Sequence, residues 1–124
     1  MGEPPKGRER RVFVRIAKAL PVHYKVIRIP KSPEDIVNPV EMQSTTKDIS
    51  AGGLSFYLKE RLELFSVLEI RLELPNEPTP VVCLAEVVRC RLVENTPYSD
   101  TAVCFLDLTN RDRRILTTFI QKQP

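Results

Sequence analysis

The sequence predicts a mainly β fold, a small antiparallel β-barrel with one α-helix laid against it at the C-terminus. Three observations carry this. Val67 to Leu74 alternates without a break, with Leu68, Ile70, Leu72 and Leu74 on one face and Glu69, Arg71 and Glu73 on the other; this period of two marks a half-buried strand of an antiparallel sheet. Several other short segments rich in β-branched residues lie between clusters of Pro, Gly and Asn, as strands joined by turns do. The last segment alone changes period, with Ile115, Leu116, Phe119 and Ile120 recurring at helical spacing. Several short antiparallel strands and one terminal helix suggest a small β-barrel with the helix lying against it.

The elements follow in order. Residues 1–10 read as a flexible N-terminal arm, and residues 11–124 as a single domain. Between Val12 and Ile29, Val22, Tyr24 and Val26 alternate against His23 and Lys25, a strand signal, with Pro21 marking a break or an edge near its start. Pro30, Pro33 and Pro39 exclude regular structure and predict a long loop over 30–39. A strand begins within Val40 to Lys47, and Asp48-Ile49-Ser50-Ala51-Gly52-Gly53 is a turn by composition. Leu54 to Leu58 is a short strand. After the turn Pro75-Asn76-Glu77-Pro78, a long strand spans Pro80 to Val93 and another Thr101 to Leu106, joined by a hairpin connection over Glu94 to Asp100. Thr109-Asn110-Arg111-Asp112 has the form of a capping box with Asp in place of Glu, and starts a helix of about three turns.

Composition narrows the function. The chain has 124 residues, 42% of them hydrophobic, enough for one domain with its own core. It shows neither a run of about 18 apolar residues nor the apolar stretch of a secretory signal, so a cytoplasmic protein with no membrane span is expected. Cys83, Cys90 and Cys104 are odd in number and each lies among apolar neighbours; buried, reduced thiols are expected. The one histidine, His23, has no cysteine near it, so no metal site is expected. No nucleophile and base can be paired, which argues against an enzyme. Net charge is +3, but residues 1–20 carry +4 and the remainder −1. Positive charge gathered at one end attracts an anion.

Two clusters hold the chemistry for one. In the first, Arg10-Arg11-Val12-Phe13-Val14-Arg15, an extended backbone sets Arg11 and Arg15 on one side. Their planar guanidinium forks can grip a phosphate or the O6 and N7 edge of guanine. In the second, Asp48, Ser50 and Gly53, an ionised carboxylate accepts bonds from a guanine edge, a hydroxyl both gives and accepts, and glycine permits positive φ and close approach. Asp and Ser also bond their own backbone in ordinary turns, and a basic arm on a small barrel can also hold nucleic acid. Against the nucleic-acid alternative, Trp is absent and aromatics total 6%.

The pair of clusters resembles the signature of the PilZ domain, a bacterial receptor module for cyclic di-GMP: Arg-x-x-x-Arg in an N-terminal arm, then Asp/Asn-x-Ser-x-x-Gly. Arg11 and Arg15 match the first part, and Asp48, Ser50 and Gly53 the second. Val87-Val88-Arg89 and Cys104-Phe105-Leu106-Asp107-Leu108 are similar to the later strands of that family. The resemblance implies a six-stranded barrel with cyclic di-GMP as ligand on its outer surface and no other cofactor. Arg11 and Arg15 would meet phosphates and guanine edges, Asp48 and Ser50 would read guanine, and Gly53 would shape the turn. Arg10, just before the motif, would favour two stacked ligand molecules. The arm would order on binding and pass the signal to a protein effector, in modules that serve motility, polysaccharide export and biofilm control. A scaffold that acts only through protein contacts is the alternative. Two departures stand out: the long segment from Arg15 to Asp48 with its prolines, and Ala102 where many members have glycine.

Overall fold

The computed structural model describes residues 14–124; the arm over residues 1–10, and with it Arg10 and Arg11, lies outside them. Seven strands and a helix follow in chain order: β1 (Ile16–Ala17), β2 (Pro21–Arg28), β3 (Met42–Ser50), β4 (Gly53–Leu58), β5 (Val67–Leu72), β6 (Val81–Leu92), β7 (Ser99–Phe105) and α1 (Asn110–Gln121). Six of them close an antiparallel barrel in the order β2-β5-β6-β7-β4-β3, with β3 pairing back onto β2. The seventh, β1, is an extra short strand on the edge of β3 beyond β2.

Alternation decides what fills the barrel. Leu68, Ile70 and Leu72 of β5 are fully buried, and Glu69 and Arg71 between them face outward. Val22 and Tyr24 of β2, Ile49 of β3, and Leu54 and Phe56 of β4 complete the same core. Each such side chain taken from water contributes about 1.5–3 kcal/mol. Tyr24 packs edge-on against Phe56 at 5.4 Å and donates its hydroxyl to Glu60 at 3.1 Å. Burial first, then the Glu60 charge, raises its pKa above the ordinary phenol range.

Helix α1 adds Leu116 and Ile120 to the core. Its capping box forms only in half. Thr109 Oγ1 accepts from the Asp112 backbone N–H at 3.1 Å, but the Asp112 carboxylate takes Arg111 at 3.0 Å, because the shorter Asp side chain spends its charge on the cation beside it. The 30–39 loop has no regular structure, and the Arg28–Asp35 ion pair (2.8 Å) and the bond from Ile36 N–H to Ile27 C=O (2.7 Å) fold it back on β2. His23 sits between Glu73 (2.9 Å) and Glu41 (3.3 Å). Among the described residues no cluster of side chains could hold a metal ion, and no helix is long and apolar enough to cross a membrane.

The cysteines correct one expectation. All three are free, but only Cys83 is buried; Cys90 is half-buried and Cys104 exposed. Cys104 falls on the outward phase of β7, between core Val103 and half-buried Phe105, so apolar neighbours in sequence are not neighbours in space. Burial, reinforced by Asp107 and Asp112, pushes the Cys83 thiol up to about 12. A thiol-labelling time course at neutral pH should therefore modify Cys104 first and Cys83 only on unfolding; equal rates would contradict this packing.

Candidate ligand-binding site

The segment that composition marks as a six-residue turn is tighter than expected. Asp48, Ile49 and Ser50 continue β3, and Gly53 already begins β4, so only Ala51 and Gly52 form the bend, with Ser50 opposite Gly53. Ser50 is buried, and its hydroxyl is engaged in the turn. It accepts from Gly52 N–H at 3.1 Å and donates to Gly53 C=O at 3.4 Å. Gly53 is needed for a reason other than φ, since no described glycine has positive φ. A Cβ there would meet the Val103 carbonyl oxygen at 2.0 Å. Glycine is what lets β4 lie against β7 at this point.

A β-bulge sets the acid. Thr46 pairs with Phe56, yet Asp48 pairs with Ser55, so Lys47 is an extra residue in β3. Strict alternation would put Lys47 and Asp48 on opposite faces. With the bulge, Thr46 and Ile49 both point inward, and Lys47 and Asp48 stand together outside. Bulges re-aim side chains in this way beside functional sites.

Asp48 is then fixed by a residue that the motif reading missed. Ser55 Oγ, 1% exposed, donates to Asp48 Oδ1 at 2.7 Å. The signal was present. In a hairpin bending at Ala51-Gly52, Asp48 and Ser55 lie equally far from the bend and pair across it, and Ser55 is the polar residue between inward Leu54 and Phe56.

Arg15 reaches the same carboxylate, its Nε 3.9 Å from Asp48 Oδ1. The route is built by β1, where Ile16 pairs with Ile49 and Ala17 with Asp48. Thr46 pins the crossing into β2. Its hydroxyl donates to Lys18 C=O at 2.6 Å and accepts from Leu20 N–H at 2.9 Å. The Arg15 side chain stays 61% exposed, so this ion pair is worth less than about 1 kcal/mol and leaves most of the guanidinium donors to a ligand. Arg15 and Asp48 are thus brought together, Ser50 and Gly53 lie at the adjoining bend, and Arg10 and Arg11 precede Arg15 outside the described residues. On the helix side, Arg113 approaches Ala51 C=O at 3.5 Å. A hollow of about 670 Å³ between α1 and the β5–β6 turn, lined by Lys18, Glu77, Arg114 and Phe119 among others, shares no residue with this face.

Chemically the face offers one fixed carboxylate that accepts N–H groups and an exposed planar cation for phosphate or a base edge. A family model, the PilZ domain, matches residues 9–122. No curated protein gives a significant match. Among solved structures, the chain is similar to the Bacillus subtilis inhibitor of motility (MotI/DgrA), at 20% identity and a TM-score of 0.69, covering 97% of this chain and 57% of that one. It therefore spans little more than half of that relative's length. It is also similar to the PilZ domain of YcgR from Escherichia coli, solved with c-di-GMP, at 15% identity and a TM-score of 0.59, with 90% and 88% covered. At these identities the two structures speak for the fold.

Proposed function

The chain belongs to the PilZ domain family, and on that ground we propose that it is a receptor for cyclic di-GMP, held on the outer barrel face by Arg15, Asp48 and the Ser50–Gly53 bend together with Arg10 and Arg11. The observation that carries the reading is the meeting of the arginine motif's Arg15 with Asp48 at 3.9 Å on one outward face. Distant in sequence, they converge where a ligand needs both a phosphate grip and a guanine acceptor. The likeness of the fold to a domain solved with c-di-GMP supports the choice of ligand.

In this reading Asp48 accepts from the guanine N–H edge with the oxygen that Ser55 leaves free, and Arg15 and Arg11 take phosphate and the O6/N7 edge. Ser50 reads guanine by turning its hydroxyl out of the bend, or serves as the staple that keeps the bend's N–H groups facing the ligand. The arm orders over the ligand and so changes the surface offered to a protein effector. The activity is binding, with no catalytic step.

Calorimetric titration of the whole chain with cyclic di-GMP tests this, with GTP and a linear guanine dinucleotide as controls. Binding at micromolar affinity or tighter, with a stoichiometry of one or two, is expected, the higher value if Arg10 favours a stacked pair. Absence of heat with the cyclic ligand, or equal response to GTP, would sink it. Ser55→Ala should weaken binding about fivefold, the loss of one hydrogen bond of ~1 kcal/mol that orients Asp48. Unchanged affinity would show that Asp48 needs no such support.

A further inference from the structure

A second β-bulge faces the first across the β4–β7 pair. In β6, Val87 pairs with Val103 but Arg89 pairs with Ala102, so Val88 is the extra residue and Val88 and Arg89 both stand outside. Cross-strand partners share a face. One outward row therefore runs from Asp48 to Ser55, Ala102 and Arg89 over four neighbouring strands. At about 4.8 Å per strand, its ends are roughly 14 Å apart. The two middle members are small, buried side chains, so the row is low at its centre, with the short Asp48 carboxylate at one end and the long Arg89 guanidinium at the other.

At the far end Arg89 meets the Lys47 side chain, which reaches over β4 from beside Asp48, on one acid. Lys47 Nζ and Arg89 Nη2 each lie 3.1 Å from an oxygen of Asp100. Lys47 also stands 5.1 Å over the ring of Tyr57, an exposed aromatic on β4. Burial favours the neutral form of Asp100, but the bonds from Arg89 and Lys47 outweigh it and hold the carboxyl below its ordinary range. The cluster is therefore charged at neutral pH, with one positive charge in excess. Both cations remain about 30% exposed (30% and 29%), and Arg89 Nε is buried with no hydrogen-bond partner among the described residues. Partly exposed ion pairs stabilise a fold little, and each bulge gives up part of a ladder. Stability alone does not account for two bulges aimed at one spot.

We propose that Lys47 and Arg89, gathered by Asp100, form the far wall of the ligand face and take a phosphate of the dinucleotide, the base lying over Ser55 and Ala102. This rests on the receptor reading above. Asp100 acts as a resident counter-ion: it keeps two like charges together in the free protein and competes with the phosphate when ligand arrives.

The competition gives a test with opposite signs. Cyclic di-GMP is titrated into the wild-type chain and into Arg89→Gln, Lys47→Gln and Asp100→Asn, with thermal unfolding of each. Arg89→Gln and Lys47→Gln should each weaken binding about tenfold and flatten its dependence on salt. Asp100→Asn should tighten it about threefold, because the cations lose their competitor. Affinities of all three within about twofold of wild type, or Asp100→Asn weakened as much as Arg89→Gln, would mean a cluster that serves the fold alone, and would overturn the proposal. If Arg89→Gln does not fold, the sign of the Asp100→Asn change decides. A wild-type chain that ignores cyclic di-GMP fails the receptor reading itself; a chain that binds but is indifferent to these residues fails only this one.

Discussion

Replacing Arg15 with alanine should weaken cyclic di-GMP binding by about tenfold to a hundredfold, the loss of a charge-assisted contact worth ~1.5–3 kcal/mol. The same substitution should leave the melting temperature nearly unchanged, because the side chain is 61% exposed and its ion pair with Asp48, the only one among the described residues, is long at 3.9 Å. That separation of binding from stability is what marks a ligand contact. Arg15→Lys should fall between, since lysine keeps the charge and loses the planar fork. Calorimetry and thermal unfolding of the three proteins check this. If Arg15→Ala binds as wild type does, Arg15 is not part of the site.

Gly53→Ala should destabilise the barrel by about 3 kcal/mol or more, the upper part of the range for forcing atoms into packed space. The obstacle is backbone, the Val103 carbonyl oxygen 2.0 Å from the added carbon, so no side chain can rotate away. Strands β4 and β7 would have to part where Gly53 pairs with Cys104, beside the bond from Phe105 N–H to Gly52 C=O (2.9 Å). Urea unfolding should show a lower midpoint at unchanged slope. A midpoint equal to wild type would mean that the two strands are not so closely held. Ligand binding should also fall, because displacing β4 shifts the Gly53 end of the bend, whose carbonyl takes the Ser50 hydroxyl.

Much of this was legible in the residues, for identifiable reasons. The period-two runs of β2 and β5 placed Val22, Tyr24, Leu68, Ile70 and Leu72 inside, because one buried face per strand leaves only one phase. The helix was legible from its spacing and from Thr109 at its cap. The resemblance to the family signature pairs Arg15 with Asp48, and the fold sets their side chains 3.9 Å apart. What escaped were features that depend on partners in space. Alternation alone cannot locate a bulge, since the extra residue is defined by the strand opposite, and so Lys47 and Arg89 were not seen as part of the face. Composition made Asp48 to Gly53 one loose turn, although three of its residues belong to β3. Gly53 was read as a conformational need, whereas its neighbour on β7 decides it. Ser55 was hidden because a lone serine in an apolar strand has no partner until the hairpin register is fixed.

The pinning of residues 18–20 by Thr46 has a consequence for how ligand is captured. With Ala17 paired to Asp48, it fixes beside Asp48 the point from which the chain leads back to Arg11 and Arg10. An extended chain covers at most ~3.5 Å per residue, so Arg11 and Arg10 can stray no more than roughly 14 and 17 Å from the backbone of Arg15. On the receptor reading proposed above, that radius would present them to the phosphates of a bound dinucleotide at a local concentration in the millimolar range or above. A second grip from Arg10 and Arg11 would then be an intramolecular step whose strength depends on chain length, and extra residues spliced in before Arg15 should loosen it without touching a single contact.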